Sequence, residues 1–394
     1  MVDTEVVVVD ACRSAIGKRK GSLKDAQAPD LLGDVLKALF TRTGLDPRHV
    51  GQVVGGCVNQ VGQQAGNVTR NAWLAAGLPL EVGASTVHSQ CGSSQQATTL
   101  AHGLVAGGLV DVAVAAGVES MDQVPINAST DPAYGTGRNE RYRRHYEVTT
   151  QFEGAERIAE KWGFSRDDLD AYGVLAQQRA ATAVAEGRFE SQIIPVEAPV
   201  TDDDGKIVGS RSFAMDEGLR PTTPEGLARL KVNLPDRPGG ARHTAGTSSQ
   251  IADGASALLM MTADKAEKLG MTPRARLVRS VLVGSDPVMM LTGPIPATQK
   301  ILADTGLTIG DIDAFEINEA FAAVVLAWQK AFGADPAKVN PNGGAIPFGH
   351  PLGASGGILL TRLINELERS GGRYGLVAMC CGGGLGTATL VERV

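Results

Sequence analysis

One cysteine in this sequence stands where a nucleophile could be made. His88-Ser89-Gln90-Cys91-Gly92-Ser93-Ser94-Gln95-Gln96-Ala97 places Cys91 in a turn of small residues, directly ahead of Ala97 to Ala106, which reads as a helix. A thiol at a helix N-terminus meets the positive end of the helix dipole and unpaired N–H groups, which lowers its pKa and favours the thiolate. Most free cysteines are instead small buried apolar residues, and Cys91 alone does not choose between the two. Three further stretches carry reactive groups. Ile317-Asn318-Glu319-Ala320-Phe321-Ala322 ends a strand with two polar side chains; Asn342 to Pro351 is a Gly-rich loop with one histidine, His350; Met379-Cys380-Cys381-Gly382-Gly383-Gly384 puts two thiols before three glycines. Singly, Asn318 reads as a helix cap, His350 as a hydrogen-bonded core histidine, and the Cys380-Cys381 pair as core filler beside a turn. Jointly they supply a thiol nucleophile, an imidazole base, a second thiol acid/base, an amide and Gly-rich turns able to bind an oxyanion.

The elements that must position these groups alternate. Val6 to Asp10 reads as a strand, Asp30 to Phe40 as a helix stopped at Gly44, Gln52 to Val58 and Val110 to Val118 as strands, which argues a parallel α/β layer with the reactive stretches at strand carboxyl ends. The pattern recurs: Gly44-Leu45 and Asp111-Val112 have counterparts 262 residues later at Gly306-Leu307 and Arg373-Tyr374. Val278 to Val283 answers the first strand, and the Gly343 to Gly357 turn and helix answers the Cys91 turn and helix. An internal duplication follows, with residues 1–120 plus 246–268 as one half and 269–394 as the other. Residues 121–245 break the rhythm and read as an inserted lid: a polar loop, helices at Glu153 to Trp162 and Ser165 to Glu186, the acidic turn Thr201 to Gly205 and the Pro-rich Pro221 to Pro238. Its cluster Arg138, Arg141, Arg143, Arg144 is either a solvated loop, the favoured reading, or a contact for a phosphorylated ligand.

The 394 residues exceed one ordinary domain, and the mixed charge, net -6, makes nucleic acid an unlikely partner. Met1 to Ala11 lacks a basic leader region, no apolar run is long enough for a bilayer, and the five cysteines (12, 57, 91, 380, 381) show neither disulfide nor zinc spacing. A reducing cytoplasm, no membrane insertion and no metal are the expectation.

With these motifs in order, Cys91, N-E-A-F-A at 318–322, G-H-P at 349–351 and C-x-G-G-G at 380–384, the chain resembles the thiolase family over its whole length. The resemblance implies a five-layered αβαβα fold of two duplicated halves with an inserted loop domain, and a CoA-dependent acyltransferase, as a homodimer or homotetramer. Carried over, Cys91 is the acylated nucleophile, His350 its base and Cys380 the second acid/base. Asn318 positions a water that, with His350, binds the thioester oxygen, while N–H groups of Cys91 and Gly382 form a second oxyanion site. Gln151, Arg220, Thr222, Thr223 and Ser249 are the implied coenzyme A contacts. No metal and no permanently bound cofactor is implied; CoA and a 3-ketoacyl-CoA are the substrates.

Three departures bear on substrate. Ser94 stands where the family more often has Gly, Thr244 to Gln250 differs from the usual loop, and Gln151-Phe152-Glu153-Gly154 replaces the His-Met-Gly of biosynthetic acetoacetyl-CoA enzymes. Together with His243 to Gln250, this is most similar to the actinobacterial steroid-degrading branch, hence a degradative thiolase for a long or bulky acyl group. The alternatives are biosynthetic acetoacetyl-CoA condensation, a ketoacyl-synthase-like condensing enzyme, a non-catalytic acyl-CoA-binding protein and a Cys380-Cys381 redox module.

Overall fold

The structure, a computed structural model, describes residues 5–394; Met1 to Thr4, the start of the expected first half, lie outside the described residues. Strand β1 (Val6–Ser14), helix α1 (Ala28–Thr43), strands β2 (Gln52–Gly56) and β3 (Gly83–Val87), helix α2 (Ser93–Ala106) and strand β4 (Val112–Ser120) come first. Helices α3 (Gln151–Trp162) and α4 (Arg166–Ala185) precede β5 (Ala252–Thr262). The chain then runs β6 (Ala275–Gly284), α5 (Pro294–Thr305), β7 (Ala314–Ile317), α6 (Ala322–Phe332), α7 (Ser355–Ser370), β8 (Tyr374–Cys381) and β9 (Leu385–Arg393). The starts of β2 and β7, of α2 and α7, and of β4 and β8 are each 262 residues apart.

The strands lie in the order β7-β8-β9-β6-β1-β5-β4-β2-β3. The expected all-parallel layer holds only on the flanks, where β4, β2 and β3 are parallel, as are β8 and β7; β5, β1, β6 and β9 are antiparallel to their neighbours. The reason is connectivity. β8 and β9 are joined by a three-glycine turn, which only an antiparallel pair allows, and β5 returns from an excursion of over a hundred residues rather than through one crossover helix.

Side chains alternate faces along each strand and so divide the interior. Val7 and Val9, Val112 and Val114, Leu259 and Met261 face Leu32, Val35, Leu36 and Leu39 of α1. Val6 and Val8, Ala113 and Ala115, Leu258 and Met260 face the other way, into a core shared with α2 and α7. Leu376, Ala378 and Cys380 of β8 meet α3, α5 and α6 in a third core. Helix, one arm of the sheet, the central helix pair, the other arm of the sheet and helix are the five layers. Each of the buried α1 leucines contributes roughly 1.5–3 kcal/mol of transfer free energy.

Helix α2 starts four residues before the expected Ala97 because its polar first turn is buried against partners distant in sequence. Ser94 Oγ accepts Gly357 N–H at 2.9 Å, and Gln95 Nε2 donates to Thr389 Oγ1 at 2.9 Å. The central helices approach so closely that a β-carbon at Gly356 would lie 2.4 Å from Gln95 N. The segment expected as a lid is anchored by buried groups: Arg13 of β1 pairs with Asp216 at 2.8 Å, and Tyr172 of α4 donates to Glu319 at 2.8 Å. A Ser165/Asp168 capping box starts α4. Arg141, Arg143 and Arg144 are exposed, as the solvated-loop reading requires. Among the described residues, no helix is long and apolar enough to cross a membrane.

Candidate active site

Cys91 precedes α2 by two residues, closer to the helix start than the sequence suggested. Gln90 before it adopts φ 54°, the left-handed region that a glutamine occupies only when its surroundings fix it. Ser93 fixes it, since its Oγ accepts Ser89 N–H at 2.9 Å and donates to Gln90 O at 2.6 Å. Cys91 is half-buried and packs against Val58, Met121 and Leu352. Here the structure corrects an expectation. N–H groups of Gly382 and of Cys91 itself favour the thiolate, but burial outweighs them and pushes the thiol up to about 11. The resting residue is a thiol.

His350 is buried, and burial holds its imidazole down to about 4, so it rests neutral. Its Nδ1 lies 2.6 Å from Ser355 Oγ, whose own proton goes to Pro351 O at 2.8 Å. Ser355 therefore accepts from Nδ1–H, which fixes the tautomer and leaves the Nε2 lone pair facing Asn318 Nδ2 at 3.3 Å. Gly349 before it has φ 107°, and a β-carbon there would lie 2.5 Å from Ala252 Cβ, so the loop can enter at this angle only with glycine. Asn318 does not cap α6, which begins at Ala322 behind Phe321. Its amide instead serves His350 at 3.3 Å, and it favours the Cys380 thiolate against burial. Burial, then the neighbouring Cys91 and Cys381, raise Cys380 well above the ordinary thiol range, so it rests protonated. Cys91, Asn318, His350, Cys380 and Gly382 thus come together from four stretches of chain.

Cys381 lies on the opposite face of β8, in the core between the sheets and beneath Gly92. Adjacent strand residues point apart, and both sulfurs are buried, so the accessible dithiol that the redox reading needs is absent from this pair. Ser94 turns its hydroxyl to the start of α7.

Arg220, Thr222 and Thr223 line a cavity of about 260 Å³ with Gln177, Leu227, Leu230 and Gly246. Gln151 and Ser249 do not line it. Ser249 donates to Ala320 O at 3.0 Å, beside the Phe321 that Phe152 meets at 5.4 Å between ring centroids. Arg138, Arg141, Arg143 and Arg144 are not among its lining residues. Sequence reasoning missed Ser355, Gln177 and Leu227. Ser355 had a signal: the 262-residue repeat that relates the halves places it on Ser93 and His350 on His88. Among the described residues, no group of three or more His, Cys, Asp or Glu side chains is placed to hold a metal ion.

A buried imidazole, two thiols and an amide at the strand ends of a duplicated five-layered fold define an acyltransferase. The family profile for the thiolase N-terminal domain matches residues 6–264 and that for the thiolase C-terminal domain residues 271–393, so the chain belongs to the thiolase family. It is 46% identical, across 100% of this chain and 95% of the other, to a Mycobacterium tuberculosis protein named steroid 3-ketoacyl-CoA thiolase FadA6. It is 39% identical to the 3-ketoacyl-CoA thiolase of Psychrobacter cryohalolentis, over 99% of this chain and 98% of that one. A solved acetyl-CoA acetyltransferase of Bacillus anthracis superposes with a TM-score of 0.89 at 33% identity, covering 99% of both chains.

Proposed function

We propose that the chain is a degradative 3-ketoacyl-CoA thiolase that shortens a long or bulky acyl group by two carbons, with steroid side chains as the leading substrate class. The observation that carries the reading is the convergence on one point of the Asn318 amide, 3.3 Å from His350 Nε2, and the neighbouring thiols Cys380 and Cys91. His350 takes the Cys91 proton as the sulfur attacks C3 of the substrate. The C2–C3 bond breaks, leaving acyl-Cys91 and the enolate of acetyl-CoA, which Cys380 protonates at C2. The Cys380 thiolate then takes the proton of a second CoA, whose sulfur attacks the acyl-Cys91 thioester; Cys91 departs and recovers its proton from His350. Resting protonation suits these roles, with a neutral base and a protonated acid.

The N–H groups of Cys91 and Gly382 hold the oxygen of the tetrahedral intermediate, and Asn318 with a water and His350 holds the enolate oxygen. Residues 121–245 carry CoA, with the cavity at Arg220, Thr222 and Thr223 taking one end and Ser249 and Gln151 lying along the thioester arm. Residues 1–120 plus 246–268 and 269–394 are the two halves. The working form is a cytoplasmic homodimer or homotetramer. A ketoacyl-synthase-like enzyme has no use for a second thiol at Cys380, and the steroid assignment rests on the likeness to FadA6.

The test is CoA-dependent cleavage of a 3-ketoacyl-CoA panel, from acetoacetyl to steroid-bearing, with acetyl-CoA measured as product. Cleavage rising from acetoacetyl to bulky members supports the assignment. Preference for acetoacetyl-CoA contradicts it.

A further inference from the structure

Two fully buried carboxylates that the proposed chemistry does not use lie on either side of the His350 loop. Glu119, at the end of β4, accepts five N–H donors: Oε2 takes Val58 N at 2.8 Å and Gly353 N at 2.9 Å, and Oε1 takes Asn59 N at 3.0 Å, Asn59 Nδ2 at 3.3 Å and Gln64 Nε2 at 3.1 Å. Glu319, just beyond β7, accepts Ile346 N with Oε2 at 3.1 Å, and Tyr172 Oη and Asn340 Nδ2 with Oε1 at 2.8 and 3.1 Å. Neither is hydrogen-bonded by a lysine or arginine. Buried carboxylates are commonly retained opposite a cation; these two face N–H and O–H groups, and each reaches one end of the segment 346–353.

We propose that Glu119 and Glu319 are positioning residues for acyl transfer, bracketing the loop from Ile346 to Gly353 so that the His350 ring stays buried with Nε2 turned to Asn318. The inference rests on the reading of His350 as the base. One Glu119 oxygen binds both Val58 N–H and Gly353 N–H, and Val58 and Leu352 are two of the apolar residues packed beside Cys91. The same carboxylate therefore sets the base loop and the wall of the nucleophile. Glu319 adds a tie through Tyr172 to α4 of the inserted segment. Replacing either by glutamine keeps the shape but turns one acceptor into an NH2 group among donors, so at Glu119 at least one backbone N–H is left unmet, and at Glu319 either Ile346 N–H or the Asn340 amide loses its acceptor.

A purely structural carboxylate would affect the folded fraction. A positioning carboxylate also affects the ring it holds, because a loosened loop admits water and returns a buried imidazole toward its ordinary value of 6.5. Burial alone accounts for the lowered ring, with no charged side chain contributing to it. The experiment is single-turnover acylation of Cys91 by 3-ketooctanoyl-CoA after a pH jump, in the parent chain, Glu119→Gln and Glu319→Gln, with melting temperature read alongside. Expected are an acylation rate lowered about tenfold or more, half-saturation by 3-ketooctanoyl-CoA within about twofold, and an acid limb moved upward from about 4. Asp216→Asn, which breaks the buried Arg13 pair, should lower the melting temperature without moving the limb. If Glu119→Gln does not fold, Glu119→Asp, which keeps a carboxylate, and Glu319→Gln carry the comparison. A parent that acylates while the folded variants keep its rate and its limb overturns the bracket alone. A parent that is acylated neither by 3-ketooctanoyl-CoA nor by a steroid-bearing 3-ketoacyl-CoA overturns the enzyme reading and the bracket with it.

Discussion

The turn that enters α2 and the turn that enters α7 are copies with opposite contents. In both, a serine stands at the helix start and a histidine five residues earlier: His88 and Ser93, His350 and Ser355. In the first half His88 is exposed, and Ser93 is used on its own backbone, holding Gln90 in a left-handed turn so that Cys91 can sit at the helix N-terminus. In the second half the histidine is buried, Ser355 orients its ring, and Gly353 stands where the first half has Cys91. One copy is built to present a thiol and the other an imidazole. The strands behind them differ likewise: between β4 and β5 the first half inserts over a hundred residues, whereas between β8 and β9 the second half has the short Gly382 turn, whose N–H reaches Cys91.

If that division of labour holds, Cys91→Ala has the largest effect, removing thiolysis by about 10⁴-fold or more in steady-state turnover. His350→Ala comes next, with acylation slower by about 10² to 10⁴-fold at neutral pH. Its residual rate should climb about tenfold per pH unit toward about 11, where the Cys91 thiol ionises without help. A residual rate flat with pH would separate His350 from the Cys91 proton. Ser355→Ala should lower kcat by about tenfold and leave KM for CoA within about twofold, because the base stays but its tautomer is free. His88→Ala, the matched change in the first copy, should alter neither; a loss there would erase the contrast. Ser94→Ala sharpens the comparison from the stability side: Gly357 N–H loses its acceptor, costing about 1–3 kcal/mol in denaturant unfolding, with activity within about twofold.

Much of this was legible in the sequence, for a physical reason. Cys91, Asn318, His350 and Cys380 each admit an ordinary structural reading when taken singly, and it is their joint occurrence, two thiols, an imidazole and an amide at strand ends and Gly-rich turns, that stands out before any fold is known. The duplication was legible through its constant spacing. Helix α1 was too, since its apolar face and stop at Gly44 are local features. What stayed hidden depends on partners far along the chain. The first turn of α2 reads as polar and non-helical until Thr389 and Gly357 are brought against it. Strand direction in the sheet centre follows from connections, which periodicity does not encode. The lowered thiol pKa expected of a helix N-terminus failed because burial, a tertiary property, outweighed the dipole. Glu119 looks like one more polar residue at a strand end, and only its five donors mark it otherwise.

The most direct test of the central claim is intact-protein mass, with peptide mapping, after brief exposure to 3-ketoacyl-CoAs from acetoacetyl to steroid-bearing, for the parent chain, Cys91→Ala and His350→Ala. The account predicts an acyl adduct on Cys91 in the parent, none in Cys91→Ala, and in His350→Ala a slow adduct that quickens as pH rises. An adduct elsewhere, or equal rates in the parent and His350→Ala, would contradict the assignment of nucleophile and base to the two halves.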